Sequence, residues 1–344
     1  MNPIYQKSDI NALKSELLKS KNIVITAHKS PDGDAIGSSI ALAEVLKSLG
    51  LSSTMIVPDE FPEFLKWLPS ASKVVVAEAD EKKAEDLLMN ADIIFALDYN
   101  IPHRAANVGK YLEASKAVKV MIDHHQAPGD FATYTYSDTG SCSTAQLIYE
   151  FAEALEVHQQ LSYEACQAIY LGIMTDSGSF RFKSVKPITH RIVANLLDLG
   201  LDQDEIHRKV YDNNSLSRLQ LRGFAISERL EILPELKTGI IHLTQKDLYK
   251  YKAGKGDTEG LVNTVLSIEG VEIAFFLREQ NNEIRMSMRS TGDFSVNEFS
   301  RANFEGGGHT NAAGGISKLS MEETINKVKT VIAAEKENIT KLYA

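Results

Sequence analysis

The chain has 344 residues, with 37 basic and 46 acidic side chains, so its formal net charge is −9. A hydrophobic share of 43% is ordinary for a globular protein and excludes a disordered or collagen-like chain. The acidic balance disfavours long nucleic acid duplexes, whose binding requires many Lys and Arg side chains to neutralise phosphates. A local cationic pocket can still bind one or a few phosphates. The length indicates about two domains.

The cysteine content and the length of the apolar runs indicate where in the cell the protein is expected. Cys142 and Cys166 are the two cysteines, too few for a disulfide framework or a thiolate metal cluster. No apolar run approaches the roughly 18 to 20 residues needed to cross a bilayer. The first residues lack the pattern of a signal peptide. We therefore expect a cytoplasmic protein that does not associate with a membrane.

The first half of the chain alternates short β-rich runs with helical patterns. A buried strand is predicted at 23–27, and a helix at 34–49 has apolar residues at helical spacing. The other predicted elements of this half are strands at 54–57, 73–77, 93–97 and 118–122 and a helix at 81–89. Such alternation predicts an α/β domain with a doubly wound, mostly parallel sheet.

Helical spacing dominates the middle of the chain, and strands return after it. The predicted helices are 143–155, 162–175, 189–199, 201–211 and 216–230, followed by strands at 239–243 and 284–289 and an amphipathic helix at 321–342. We therefore expect a larger α/β domain over residues 1–200, a helical linker over 201–235 and a smaller α/β domain over 236–344.

The segment HKSPDGD follows directly on the first predicted strand. Ligands of open α/β sheets bind outside the carboxyl ends of the strands. His28, Asp32 and Asp34 supply one imidazole and two carboxylates, which suit a divalent cation such as Mn²⁺. Pro31 and Gly33 allow a tight turn that brings these groups together. The motif is short, however, and a surface turn with Asp34 as a helix cap would explain it equally well.

Further potential ligands stand at the ends of other predicted elements. Asp98 follows the strand at 93–97, Asp123, His124 and His125 follow the strand at 118–122, and Asp176 ends a helical run. With the carboxylates of HKSPDGD, Asp98 and Asp176 make four negative charges, which two divalent cations would neutralise. Paired cations are the usual clamp for in-line displacement at phosphorus. These residues predict a two-metal phosphohydrolase.

A glycine-dense loop near the C-terminus, GGGH followed by TNAAGG, is a candidate anion site. Glycine lets backbone N–H groups approach an anion closely, here at Gly307 and Gly308. The side chains that could add donors to a bound phosphate are Arg285, Arg289, Ser290 and His309. A purely structural turn is the alternative.

The motifs taken together resemble those of a known family. The order HxxxDxD, strand-Asp, DHH, GIMTDSGSF and GGGHxxAAG resembles the DHH/DHHA1 phosphoesterases, and within them the stand-alone bacterial nanoRNase and pAp phosphatase type. The resemblance runs from about Lys21 to Gly315. It implies a DHH domain with a doubly wound sheet joined to a smaller α/β DHHA1 domain. It also implies Mn²⁺-dependent hydrolysis of phosphoesters, with Mg²⁺ or Co²⁺ as substitutes.

The resemblance also assigns roles to residues. Two Mn²⁺ per chain are implied: the first would bind His28, Asp32 and Asp98, and the second would bind Asp34, the bridging Asp98, His124 and Asp176. His125 would contact the scissile phosphate or protonate the leaving oxygen, and Asp123 would orient it or share in the metal site. In the DHHA1 domain the far end of the substrate would contact Arg289, Ser290, Gly307, Gly308 and His309, with Arg285 nearby.

The implied substrates are short single-stranded RNA, released as nucleoside 5′-monophosphates, and 3′-phosphoadenosine-5′-phosphate (pAp), which would give AMP. A cleft between the domains would exclude long duplexes, and the protein could form a homodimer. Three alternatives stay open. They are a phosphodiesterase acting on c-di-AMP or the dinucleotide pApA, a family II pyrophosphatase, and a non-catalytic nucleotide- or metal-binding module.

Overall fold

A computed structural model describes residues 4–254 and 256–343. The chain divides into two compact units, Met1–Asn213 and Asn214–Ala344. The division falls inside the segment 201–235 that the sequence predicts as a linker. The outer limits of the expected domains, residues 1 and 344, lie outside the described residues. Among the residues described, no helix combines the length and the apolar character that crossing a bilayer requires.

The first unit is an α/β layer structure. Its strands are β1 (Ile23–Thr26), β2 (Ser53–Val57), β3 (Val75–Val76), β4 (Ile93–Leu97), β5 (Val118–Asp123) and β6 (Tyr134–Ser137). Its helices are α1 (Lys7–Leu17), α2 (Gly33–Ser48), α3 (Glu81–Met89), α4 (Ala106–Ala114), α5 (Thr144–Ala154), α6 (Tyr163–Asp176), α7 (Pro187–Asp198) and α8 (Gln203–Tyr211). The strands pair in parallel in the order β3-β2-β1-β4-β5-β6, which confirms the predicted doubly wound sheet.

Both faces of this sheet are buried, and the strand pattern explains why. All residues of β1 and β4 are buried, as parallel strands covered on two sides require. Alternate residues face opposite cores. Ile25 and its β4 neighbour Phe95 pack under α1, α2, α5 and α6, whereas Val24 and Ile94 pack under α3 and α4. The chain changes direction across the sheet between β1 and β4, so their carboxyl ends open the crevice that holds the site.

Besides the helices α1 and α4, which were not predicted, two strands of the first unit differ from the sequence prediction. The predicted strand at 73–77 shrinks to Val75–Val76, because a 3₁₀ turn at Pro69–Lys73 occupies its beginning. The edge strand β6 was not predicted. Its sequence YTYS contains one buried residue, Tyr136, among half-buried and exposed ones, and it lacks the apolar run that identifies a central strand.

The second unit contains a mixed sheet. Its strands are β7 (Leu230–Leu233), β8 (Thr238–Leu243), β9 (Ile273–Gln280), β10 (Glu283–Ser290), β11 (Glu305–His309) and β12 (Ala312–Ser317). Its helices are α9 (Leu216–Glu228), α10 (Gln245–Lys250), α11 (Leu261–Leu266), α12 (Val296–Asn303), α13 (Met321–Ala334) and α14 (Lys336–Leu342). The order is β11-β12-β10-β9-β8-β7, and within it β8 and β9 pair in parallel while the other pairs are antiparallel. The expected second α/β domain is confirmed.

The glycine-dense segment is a β-hairpin, so its prediction as a loop is wrong. β11 and β12 pair from Glu305↔Ile316 to His309↔Ala312, leaving a two-residue turn. Packing requires two of the glycines. A Cβ on Gly306 would lie 2.1 Å from a carbonyl oxygen of β12, and one on Gly308, whose φ is +156°, would lie 2.4 Å from another. The predicted helix at 321–342 is likewise two helices, since α13 ends at Ala334.

Candidate metal centre

The candidate site lies at the carboxyl edge of the parallel sheet in the first unit. β1, β4 and β5 end side by side there, and a potential ligand follows each strand: His28, Asp98 and His124. The beginning of α2 supplies Asp34 and the end of α6 supplies Asp176. Elements that are distant in sequence thus converge on one point, because parallel strands all end at the same edge.

A first ligand group consists of His28, Asp32 and Asp98. Nε2 of His28 lies 3.3 Å from Oδ2 of Asp98 and 3.8 Å from Oδ1 of Asp32. One donor atom from each residue lies within 4.8 Å of the others. The Asp32 carboxylate also begins α2, where its Oδ1 accepts hydrogen bonds from the backbone N–H groups of Asp34 and Ala35. Asp32 is therefore the helix cap that the alternative interpretation gave to Asp34.

A second ligand group consists of Asp34, His124 and Asp176. Nε2 of His124 lies 3.3 Å from Oδ2 of Asp176 and 3.9 Å from Oδ2 of Asp34. The three donor atoms again lie within 4.8 Å of one another. Asp34 and His124 are buried, whereas the Asp176 side chain is 31% exposed. Of these three side chains, that of Asp176 is the most exposed to solvent.

Asp98 stands between the two groups. Its Oδ2 faces His28, and its Oδ1 lies 3.5 Å from Nε2 of His124. One carboxylate therefore presents a different oxygen to each group, as a carboxylate that bridges two cations through both of its oxygens would. The backbone of Asp98 is left-handed, with φ +63°, a conformation that is costly for a non-glycine residue and that clusters at functional sites.

The imidazoles are oriented for metal binding. Nδ1 of His28 lies 2.8 Å from the carbonyl oxygen of Lys29, and Nδ1 of His124 lies 3.3 Å from that of Ser141. A carbonyl only accepts, so both Nδ1 atoms carry a proton, and Nε2 is the nitrogen of each ring that faces the carboxylates. Metal-binding histidines ordinarily donate their second N–H in this way. The donor set fits divalent cations.

The charges of the site also fit cations. Burial, together with the negative charges of Asp98 and Asp176, raises the pKa of Asp34 well above its ordinary value. Burial alone would likewise raise the pKa of Asp98, but hydrogen bonds with His124 and His28 outweigh it and hold that pKa well below its ordinary value. Neighbouring carboxylates thus repel one another where no cation is bound. A pair of divalent cations would remove this repulsion.

Asp123 and His125 form a separate pair beside the ligand groups. Oδ1 of the fully buried Asp123 accepts a hydrogen bond from Nδ1 of His125 at 2.7 Å, and its Oδ2 accepts from the His125 backbone N–H at 3.0 Å. Burial lowers the pKa of His125, with only partial compensation from Asp123 and Asp98. A carboxylate that holds one imidazole nitrogen directs the other to a partner, as in an acid–base pair.

The predicted substrate residues of the second unit lie on β10 and in the β11–β12 hairpin. Nη1 of Arg289 donates to the Met288 carbonyl oxygen at 3.0 Å. The Ser290 hydroxyl is buried: it donates to the Phe294 carbonyl and accepts from Nδ2 of Asn311. Half-buried Arg285 contacts Glu283 at 3.3 Å. Gly307, Gly308 and His309 are half-buried in β11.

Sequence reasoning missed the segment that contacts the candidate metal ligands Asp34 and Asp98. Thr144, the first residue of α5, donates its hydroxyl to Oδ1 of Asp98 at 3.0 Å and its backbone N–H to Oδ2 of Asp34 at 2.6 Å. The available signal was the serine–threonine pair that begins the predicted helix at 143–155. That signal indicates a cap and says nothing of metal ligands.

Glycines let the helices α2, α5 and α6 approach one another closely. A Cβ on Gly172 of α6 would lie 2.4 Å from Cβ of Ala145 and 2.7 Å from Oδ1 of Asp34. A Cβ on Gly33 would lie 2.4 Å from the Thr175 hydroxyl. The close packing of α2, α5 and α6 thus depends on these missing side chains.

The two ligand groups share Asp98 and lie at the edge of a doubly wound sheet. This arrangement is typical of a divalent-metal phosphoesterase. Residues 22–173 match the N-terminal domain of the DHH family, and residues 241–336 match the DHHA1 domain. The chain belongs to the DHH family, which confirms the resemblance of its motifs.

Relatives align over nearly the whole chain. A Thermus thermophilus protein named bifunctional oligoribonuclease and PAP phosphatase NrnA is 29% identical over 330 residues, covering 94% of this chain and 93% of that protein. The Bacillus subtilis protein of the same name is 26% identical over 310 residues, or 88% and 92% of the two chains. The crystal structure of an exopolyphosphatase-related protein from Bacteroides fragilis is 36% identical, with a TM-score of 0.93 over 97% of this chain and 98% of that one.

Proposed function

We propose that this chain is a manganese-dependent phosphoesterase that hydrolyses short oligoribonucleotides to nucleoside 5′-monophosphates and pAp to AMP and phosphate. The names of the relatives from Thermus thermophilus and Bacillus subtilis support this pair of substrates. The observation that carries the proposal is the position of Asp98, whose two oxygens face separate groups of ligands. A single carboxylate so placed suits two cations better than one.

The cations would be held by six side chains. The first would bind His28, Asp32 and Asp98, and the second would bind Asp34, Asp98, His124 and Asp176. Carboxylate oxygen with some imidazole nitrogen suits Mn²⁺, and Mg²⁺ or Co²⁺ are its expected substitutes. A bound pair would supply Lewis-acid stabilisation of the phosphoryl oxygens and activation of water.

His125 would act on the leaving oxygen of the substrate. Asp123 accepts a hydrogen bond from Nδ1 of His125, so Nε2 is the nitrogen that would contact the scissile phosphoester. When the P–O bond breaks, a proton held at Nε2 would pass to the departing oxygen. Asp123 would keep the ring in place and stabilise its protonated form.

The second unit would bind a phosphate at the other end of the substrate. Arg289 and His309 would be its charged or polar donors, and the N–H groups of Gly307 and Gly308 would approach it closely. Ser290 would hold the end of β10 beside the turn of the hairpin, because its hydroxyl donates to the Phe294 carbonyl and accepts from Asn311. A substrate with one terminal phosphate and a second, scissile phosphoryl group, such as pAp or a short 5′-phosphorylated RNA, meets this requirement.

Hydrolysis of a matched set of substrates tests the proposal. The purified chain with MnCl₂ is incubated with pAp, a 5′-phosphorylated RNA trimer, pApA, c-di-AMP and pyrophosphate, and the products are separated by chromatography. We expect turnover of pAp and of the trimer, abolished by a chelator and restored by Mn²⁺. Turnover of c-di-AMP or pApA alone would favour the signalling phosphodiesterase, and turnover of pyrophosphate alone would favour the pyrophosphatase. Absence of turnover would leave a binding module.

The native metal needs its own measurement. The chain is purified without added metal and analysed by elemental mass spectrometry, and the metal-free protein is then reloaded with Mn²⁺, Mg²⁺ or Co²⁺. We expect manganese to give the highest kcat. A higher kcat with Mg²⁺ at saturating concentration would contradict the assignment of manganese.

A further inference from the structure

One short segment contacts three of the proposed metal ligands. Residues 141–145, SCSTA, connect β6 to α5, and we call them the support segment. The carbonyl oxygen of Ser141 accepts from Nδ1 of His124 at 3.3 Å, and the backbone N–H of Ala145 donates to Oδ1 of Asp34 at 2.8 Å. Thr144 contacts both Asp34 and Asp98. The support segment therefore touches ligands that come from β5, α2 and the end of β4.

The Thr144 hydroxyl contacts Asp98, the residue that faces both ligand groups. It lies 3.0 Å from Oδ1 of Asp98, the oxygen that faces His124, while the other oxygen faces His28. An ionised carboxylate only accepts, so the hydroxyl is the donor. Thr144 and Asp98 are both buried, at 0% and 2% exposure, so water does not compete for this bond.

A purely local role does not explain this hydroxyl. Ser143 is the cap of α5, and its hydroxyl accepts the backbone N–H of Gln146 at 3.0 Å. The helix is thus capped without the Thr144 side chain, whose hydroxyl points instead at Asp98. The torsion that rotates a carboxylate about its Cβ–Cγ bond is broad, so the side chain alone does not fix the direction of its oxygens.

We infer that Thr144 is a positioning residue that fixes the rotation of the Asp98 carboxylate, so that each of its oxygens meets a different cation. The inference rests on the metal site of the proposed function but not on its substrates. Because Asp98 is the shared ligand, loss of this hydrogen bond would weaken the pair of cations together. Partners that hold metal ligands typically contribute 10- to 100-fold to metal affinity.

Three variants isolate the hydroxyl. Thr144→Val removes it at nearly constant shape, Thr144→Ser keeps it, and Thr189→Val removes a different buried hydroxyl of the same unit. The Thr189 hydroxyl lies 2.7 Å from the Gln146 side chain and 3.7 Å from Sγ of Cys142, and it accepts from the backbone N–H of Lys186, so it bonds to the support segment but to none of the proposed ligands. The control therefore reports the general cost of losing a buried hydroxyl near α5.

The readouts use the full chain and MnCl₂ alone, with no substrate. Calorimetric titration of the metal-free protein gives the affinity, and electron paramagnetic resonance shows whether two bound Mn²⁺ are magnetically coupled through a shared ligand. We expect Thr144→Val to lower the affinity about 10- to 100-fold and to weaken the coupling. Thr144→Ser and Thr189→Val should both match the wild type.

Wild-type affinity and coupling in Thr144→Val would overturn the inference, as would a loss in Thr144→Ser as large as that in Thr144→Val. If the valine variant fails to fold, Thr144→Ala removes the hydroxyl without placing a methyl group beside the carboxylate and is judged by the same outcomes. A wild-type chain that binds coupled Mn²⁺ but hydrolyses none of the substrates would refute the proposed function and leave this test intact.

Discussion

Replacing Gly172 by alanine tests whether close packing of α6 positions the metal ligands. The new Cβ would stand 2.4 Å from Cβ of Ala145 and 2.7 Å from Oδ1 of Asp34. Cβ of Ala145 cannot rotate away because it is fixed to the backbone of α5. The helices must therefore separate, or Asp34 must leave the hydrogen bonds that it accepts from Thr144 and Ala145.

Two opposing free energies set the size of the effect. Alanine is favoured over glycine in a helix interior by about 1 kcal/mol. Overpacking a close-packed core typically costs about 1 to 3 kcal/mol. The free energy of unfolding of the first unit should accordingly fall by up to about 2 kcal/mol, and the affinity for Mn²⁺ should fall with it because Asp34 is displaced.

Urea unfolding followed by the fluorescence of Trp67 measures this effect, since Trp67 is the single tryptophan of the chain and lies in the first unit. Gly223→Ala is the control. Gly223 lies within α9 of the second unit, and a Cβ there would meet no atom within 4 Å. It should leave the Trp67 transition and metal binding unchanged. An unaltered or raised midpoint in Gly172→Ala, together with wild-type affinity for Mn²⁺, would refute the packing argument.

Four further outcomes test the site. Asp98→Ala should lower bound manganese and abolish hydrolysis, because it removes the shared ligand; wild-type turnover would contradict the ligand assignment. Asp123→Asn should reduce kcat roughly 10²- to 10⁴-fold at unchanged metal content, because it acts through His125; a loss of metal would place Asp123 among the ligands instead. Arg289→Ala should raise KM for pAp roughly 10- to 100-fold, the value of a charge-assisted hydrogen bond, with little change in kcat; an unchanged KM would remove Arg289 from the substrate site. Mn²⁺ should raise the melting temperature of the wild type more than that of Asp98→Ala, because a ligand that binds the folded state stabilises it.

The sequence predicted the part of the site that strand ends determine. Asp98 and the Asp123–His125 run follow apolar strands, and parallel strands in one sheet end at the same edge, so their convergence could be expected before any coordinates. The doubly wound sheet itself followed from alternating strands and helices. The left-handed backbone of Asp98 could not be predicted, because the segment LDYN contains no glycine and aspartate adopts this conformation in only a minority of cases.

The contacts of the support segment could not be predicted for a different reason. Ser141 and Ala145 act through backbone groups, which every residue possesses, and the hydroxyl of Thr144 reaches Asp98 across 46 positions of sequence. Composition and spacing carry no information about such contacts. The glycine-dense hairpin shows that a visible sequence pattern can also have a different cause from the one inferred. Its glycines were interpreted as a sign of anion binding, whereas close packing against β12 already accounts for Gly306 and Gly308.

Each central ligand is held by a group other than a cation. Backbone N–H groups hold Asp34, a carbonyl oxygen holds His124, and a hydroxyl holds Asp98. Small metal domains commonly fold only when the metal binds, because the free energy of metal binding drives their folding. Here a sheet buried on both faces fixes the elements, and hydrogen bonds fix the side chains. Burial and the negative charge gathered at this edge both raise the pKa of Asp34, and the repulsion between these charges is the cost that bound cations would offset. Packing and hydrogen bonds therefore position the ligands, and bound cations would neutralise their charge.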